Sequence, residues 1–178
     1  MFVFSVTVMV MSKSNTATKV RHIDNTAELG RYLRESRQEQ AVTINNASAF
    51  VSLGQRFISE IERGKETAFL DKTLKYINRL GLSLHIYPRN SLDIHSPYGA
   101  IADIKAIGQL ARQHRKKQKA TLETVKQISG LGLRFLSEFE RGNNSQIGRA
   151  LKALKIYGLE VAVSPKNYRL SRADLIDA

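Results

Sequence analysis

The chain of 178 residues has no cysteine. That excludes a disulfide framework and thiolate metal sites, and it fits a reducing cytoplasm. Acidic residues are scarce: 16 Asp and Glu stand against 28 Lys and Arg, giving a formal charge of +12 and a pI near 10.1. Such an excess points to a polyanionic partner, with nucleic acid ahead of a ribosomal or membrane-surface role. No long apolar run is present. Residues 1–11, MFVFSVTVMVM, fall short of the roughly 20 residues a membrane-crossing helix needs. Their lysines follow the apolar stretch, where a secretory leader would place them first. The segment reads as translation from an upstream start codon, with Met9 or Met11 as the true start; a weak signal anchor is the alternative. The four histidines, His22, His85, His95 and His114, lack ligand spacing and read as surface or half-buried residues. No nucleophile–base pair or phosphate loop occurs either. No catalytic residue, metal or cofactor is therefore expected, and the chain is not read as an enzyme.

What the chain does contain is a repeat. Residues 53–65 read LGQRFISEIERGK, and residues 131–143 read LGLRFLSEFERGN, an offset of 78. Apolar residues recur at helical spacing, as Phe57, Ile58 and Ile61 and as Phe135, Leu136 and Phe139. Arg56, Ser59, Glu60 and Arg63 return unchanged as Arg134, Ser137, Glu138 and Arg141. Gly64 and Gly142 close the segments where a left-handed cap would end a helix. Gly54 and Gly132 open them after a short turn. A short helix entered from a tight turn fits the second helix of a helix-turn-helix.

The rest of the chain arranges itself around these segments. Residues 1–25 form an arm, expected to be flexible. The first domain spans 26–89: one helix to about Gln38, a second capped by Thr43, a third over Gln55–Arg63, and an amphipathic fourth over Phe69–Leu80. Leu82, Leu84 and Ile86 then alternate with polar or aromatic neighbours, predicting a strand that Pro88 stops. Residues 90–104, with Pro97 and Gly99, read as a linker. The second domain, 105–166, retraces the first. Thr121 caps its second helix, the third runs over Leu133–Arg141, a fourth lies near Ile147–Tyr157, and a strand of Leu159, Val161 and Val163 ends at Pro165. Residues 167–178 form a tail. The expected fold is mainly α, with two lambda-repressor-like helix-turn-helix units, each followed by one short strand.

Each repeat resembles the Xre, or Cro/cI, helix-turn-helix family. RFISEIERG followed by a helix and a GLxLxxxP strand is similar to its HipB-like antitoxin branch. The resemblance covers nearly all of 28–89 and 105–166. It implies that Arg37 pairs with Glu62, and Arg115 with Glu140, as structural ion pairs instead of DNA contacts. One departure concerns the start of helix 2, where most of the family has Gln and this chain has Ile44 and Leu122. The family's usual contact from that position is not carried over.

A reading helix presents its N-terminal residues to the major groove. In the first copy these are Gln55, Arg56 and Ser59; in the second, Leu133, Arg134 and Ser137. Gln suits adenine, Arg suits guanine or a phosphate, and Leu suits a thymine methyl. Thr43, Asn45, Thr121 and Thr124 stand at helix-2 N-termini, whose exposed amides favour phosphate. Charge is unequal: residues 28–90 hold ten basic and seven acidic residues, while 105–172 hold fifteen and four. Lys116 and Lys117 lie in the basic excess and are expected to anchor the DNA backbone. The chain is thus expected to regulate transcription, as a repressor binding double-stranded DNA at an imperfect palindrome. The alternative is an antitoxin that neutralises a HipA-like toxin kinase and autoregulates its operon. The setting expected is a bacterial or phage-encoded protein in the cytoplasm, at the nucleoid. The two strands are expected to pair with each other, antiparallel, making one chain a monomeric pseudo-dimer; pairing between chains would give a homodimer.

Overall fold

The computed structural model describes residues 20–89, 100–101 and 103–168. The apolar stretch 1–11, most of the linker and most of the tail lie outside the described residues. Within them the fold is mainly helical, with a small antiparallel sheet. Strand β1 (Arg21–His22) precedes α1 (Thr26–Glu39), α2 (Ile44–Val51), α3 (Gln55–Glu62), α4 (Leu70–Arg79) and β2 (Leu82–Pro88). The second half supplies α5 (Ile104–Lys117), α6 (Leu122–Ser129), α7 (Leu133–Glu140), α8 (Ile147–Ile156) and β3 (Leu159–Pro165). Corresponding helices and terminal strands have equal lengths: 14, 8, 8, 10 and 7 residues.

Local chemistry sets these boundaries. Asn25 caps α1 by accepting from the Glu28 amide, and Asp103 caps α5 by accepting from the Ala106 amide. The expected caps Thr43 and Thr121 do the same for α2 and α6. Gly64 and Gly142 follow α3 and α7 with φ of 81° each, the left-handed turn the repeat predicts. Gly30 and Gly108 serve a different need. A Cβ on Gly30 would lie 2.4 Å from the Ile61 carbonyl oxygen, and one on Gly108 would lie 2.3 Å from that of Phe139. No side chain fits where α1 crosses α3 or where α5 crosses α7.

A buried ion pair locks each of those crossings. Arg37 donates from Nε and Nη2 to the two carboxylate oxygens of Glu62, at 2.7 and 2.8 Å, and from Nη1 to the Val42 carbonyl at 2.7 Å. Arg115 treats Glu140 and the Ala120 carbonyl alike, at 2.6, 2.7 and 2.7 Å. These are the pairs the family resemblance implies. The Glu62 and Glu140 partners hold the two guanidinium groups above their ordinary pKa, against the cost of burial.

The expected strand pairing is present. β2 and β3 are antiparallel over their whole lengths, with His85 opposite Ala162. Those two residues are equivalent under the 77-residue offset of this part of the repeat. So are Phe69 and Gln146, which form an antiparallel bridge of their own. Around each point the hydrogen bonds come in exchanged pairs. Leu70 N donates to Ser145 O and Ile147 N to Ala68 O, both at 2.8 Å; Arg89 N donates to Gly158 O at 3.0 Å and Lys166 N to Gly81 O at 2.9 Å.

Two expectations are corrected at the sheet edges. Residues 1–25 were expected to form a flexible arm, yet Arg21–His22 pair with Val163 and Ala162 of β3, and Ile23 is buried. Residues 90–104 were read simply as a linker, yet Ala100 bridges to His85 and the Ile101 amide donates to Leu84 O at 2.8 Å. The reason is the same in both places. The outer edges of β2 and β3 carry unpaired backbone groups beside the core, and a single apolar residue, Ile23 or Ile101, seals each. Sequence periodicity cannot signal so short a strand. His85 is also corrected: it is buried, with Nε2 2.9 Å from Ser164 Oγ.

Candidate nucleic-acid interface

Helices α2 and α3 are joined by Ser52, Leu53 and Gly54, and α6 and α7 by Gly130, Leu131 and Gly132. Ser52 and Gly130 both sit in the left-handed region, with φ of 55° and 68°. That turn lets Val51, Ile58 and Ile61 meet in the core, as Val125, Leu136 and Phe139 do in the second half. The opposite face of each third helix is left towards solvent. On α3 it carries Gln55, Arg56, Ser59 and Glu60, with Arg63 as the C-cap; on α7 it carries Leu133, Arg134, Ser137 and Glu138, with Arg141 as the C-cap.

The expected contact residues fall on these surfaces. Gln55 donates from Nε2 to Asn45 Oδ1 at 2.9 Å, so the two amides form one unit across α2 and α3. Leu133 is exposed, and the residue at the Asn45 position of the second copy is Glu123, which pairs with Lys126 at 2.9 Å. Arg56 and Arg134 project outward with side chains 90% and 91% exposed. Each donates from Nε to the glutamate one turn on, Glu60 at 3.0 Å and Glu138 at 2.9 Å. Lys65 first, and Arg56 with it, hold the Glu60 carboxyl below its ordinary pKa.

The small polar residues are partly committed. The Thr43 hydroxyl accepts from the Asn46 amide at 3.2 Å. That of Thr121 accepts from the Thr124 amide at 3.1 Å and bonds the Thr124 hydroxyl at 2.9 Å. Ser137 Oγ accepts from Arg141 at 2.6 Å, and the Ser59 carbonyl accepts from Arg63 at 3.1 Å. Lys116 and Lys117 are exposed at the end of α5, and Lys119 turns the chain there with φ of 57°. Glu60, Glu138, Arg63 and Arg141 were not among the expected contact residues, although all recur between the copies.

A cleft of about 300 Å³ opens elsewhere, beside β1, β3 and α8. Its charges are matched internally, Arg89 to Glu160 at 3.0 Å and Lys155 to Asp24 at 3.2 Å, so it offers no net charge to a ligand. Among the described residues no cluster of metal-ligating side chains occurs, and no helix is long and apolar enough to cross a membrane.

No family model and no solved structure matches the chain. It is 33% identical over 66 residues to a protein of Sinorhizobium fredii (strain NBRC 101917 / NGR234) described as "Uncharacterized HTH-type transcriptional regulator y4mF". The match covers 37% of this chain and 87% of that protein. With a third of positions identical across most of that regulator, the chain belongs to the helix-turn-helix (HTH) type of transcriptional regulators.

Proposed function

We propose that the chain is a sequence-specific repressor with two helix-turn-helix units, α1–α4 and α5–α8, that reads both halves of one operator as a pseudo-dimer. The observation that carries this reading is the exchange of equivalent hydrogen bonds about the His85–Ala162 and Phe69–Gln146 pairs. Such an exchange relates the units by an approximate two-fold axis, the symmetry that dimeric regulators share with palindromic sites. The 66-residue match is also the length of one unit, not of two.

In this reading α3 and α7 enter successive major grooves about 34 Å apart, one turn of DNA. The Gln55–Asn45 amide unit suits adenine, while Leu133 suits a thymine methyl, so the half-sites differ and the palindrome is imperfect. Thr43, Thr121 and Thr124 place helix amides against phosphates, and Lys116 and Lys117 add backbone anchoring on the second side only. Ser59 and Ser137 lie on the reading faces, with Ser137 held by Arg141.

Selection of duplexes from a random-sequence library, followed by gel shifts at several salt concentrations, tests the reading. The expected outcome is an enriched site with unlike halves one turn apart. Equal binding to every duplex would refute it.

A further inference from the structure

We propose that Glu60 and Glu138 are positioning residues that set base specificity, holding Arg56 and Arg134 so that their terminal nitrogens face a guanine edge. The inference rests on the reading that α3 and α7 enter the major groove.

Two kinds of arginine–glutamate pair exist in this chain, and their geometry differs. In the buried pairs, Arg37 and Arg115 spend Nε and Nη2 on the carboxylate and Nη1 on a carbonyl, so all three nitrogens are engaged. In the exposed pairs only Nε is bonded, to Glu60 at 3.0 Å or Glu138 at 2.9 Å. The two terminal nitrogens then stay available, and they are the donors that match O6 and N7 of guanine. A long, exposed arginine otherwise samples many rotamers. Fixing Nε to the same helix removes much of that freedom before the base arrives.

The arrangement is present in both halves, on helices whose first residues and flanking charges have diverged. In the first half Lys65 also holds Glu60, at 2.8 Å, whereas Asn143 stands at the corresponding place in the second. The carboxylates have a second effect. Each puts a negative charge on a surface that faces phosphates, which weakens docking on any duplex where the arginine finds no guanine.

The test uses the full chain and a duplex enriched by it from a random library. Three probes are compared: that duplex, the same duplex with 7-deazaguanine, and a scrambled one. The wild-type chain is expected to lose about tenfold in affinity on the deaza duplex. The double variant E60A/E138A is expected to lose that discrimination, to bind the scrambled duplex more tightly, and to show a preference for the enriched site lowered by about tenfold. E39A/E66A removes two charges elsewhere and is expected to keep the discrimination. If E60A/E138A keeps it too, with only its melting temperature changed, the pairs are helix staples and the proposal falls. If no sequence is enriched at all, the DNA-reading proposal falls with it.

Discussion

The Tyr157 hydroxyl donates to Oε1 of Glu140 at 2.8 Å. In the first half Tyr76 fills the same role on Glu62. Yet the two tyrosines are not equivalent: the repeat places Ala153 opposite Tyr76 and Leu80 opposite Tyr157. They stand one helical turn apart on the fourth helix and its cap, so either backbone position delivers a phenol to the same carboxylate. Burial first, and the neighbouring glutamate second, raise both phenols well above the usual tyrosine range, so they remain donors throughout ordinary pH. Tyr157→Phe is expected to cost about 1–2 kcal/mol, the loss of one buried donor to a charged acceptor. Glu140→Ala is expected to cost about 3–5 kcal/mol, since it leaves Arg115 buried and unpaired. Urea unfolding of the two variants measures both, and equal costs would contradict this account.

Ser52 and Gly130 occupy the same left-handed turn, and only one is the residue suited to it. Ser52→Gly is expected to stabilise the chain by about 0.5 kcal/mol, the relief of φ offset in part by a more flexible unfolded state. Gly130→Ser is expected to destabilise it by about 1 kcal/mol. Thermal unfolding of the pair gives opposite shifts if the turn, and not the side chain's contacts, governs.

These positions show what the sequence could and could not disclose. Helical spacing, Thr caps and closing glycines located α2, α3, α4 and their counterparts almost to the residue, because each signal is local. The Arg37–Glu62 pair was legible through the family resemblance. The tyrosine partners were not, because they differ between copies and only three-dimensional proximity reveals them. Gly30 and Gly108 carry no signal in the sequence, because their purpose depends on the carbonyls of another helix. At the candidate interface the arginines were legible from the repeat, but the recurrence of Glu60 and Glu138 did not disclose that each pairs with the arginine one turn back.

Stability should fall in mild acid through His85. Burial holds its imidazole below the ordinary pKa. The unfolded chain therefore takes up a proton near pH 6.5 that the folded chain refuses. Stability is expected to be level above that pH and to decline as pH drops below it, towards the depressed folded value. Nδ1 has no hydrogen-bond partner among the described residues, and Nε2 already faces Ser164, so the proton would arrive in an unprepared setting. His114 is lowered as well, by burial and then by Lys117, so a residual slope remains. His85→Gln keeps an amide for Ser164 and is expected to flatten the curve between pH 7 and 5.5 in thermal melts. An unchanged slope would assign the effect elsewhere.

The edge strands determine how the halves hold together. Ile23 leads into α1 but donates its amide to Val161 of β3, at 2.9 Å; Ile101 leads towards α5 but donates to Leu84 of β2, at 2.8 Å. Each half thus lends a segment to the other half's strand, and β2 with β3 joins them at the centre. Because these ladders close within one chain, a second copy is not needed to satisfy them. Light scattering is expected to find a species of about 20 kDa, and denaturation a single transition in which both halves unfold together. Ile23→Pro combined with Ile101→Pro removes both exchanged donors while leaving β2 and β3 paired. That variant is expected to remain monomeric but to unfold at lower denaturant, with a broader transition as the halves uncouple. A wild-type species of twice the mass would mean that the same strands pair between chains instead.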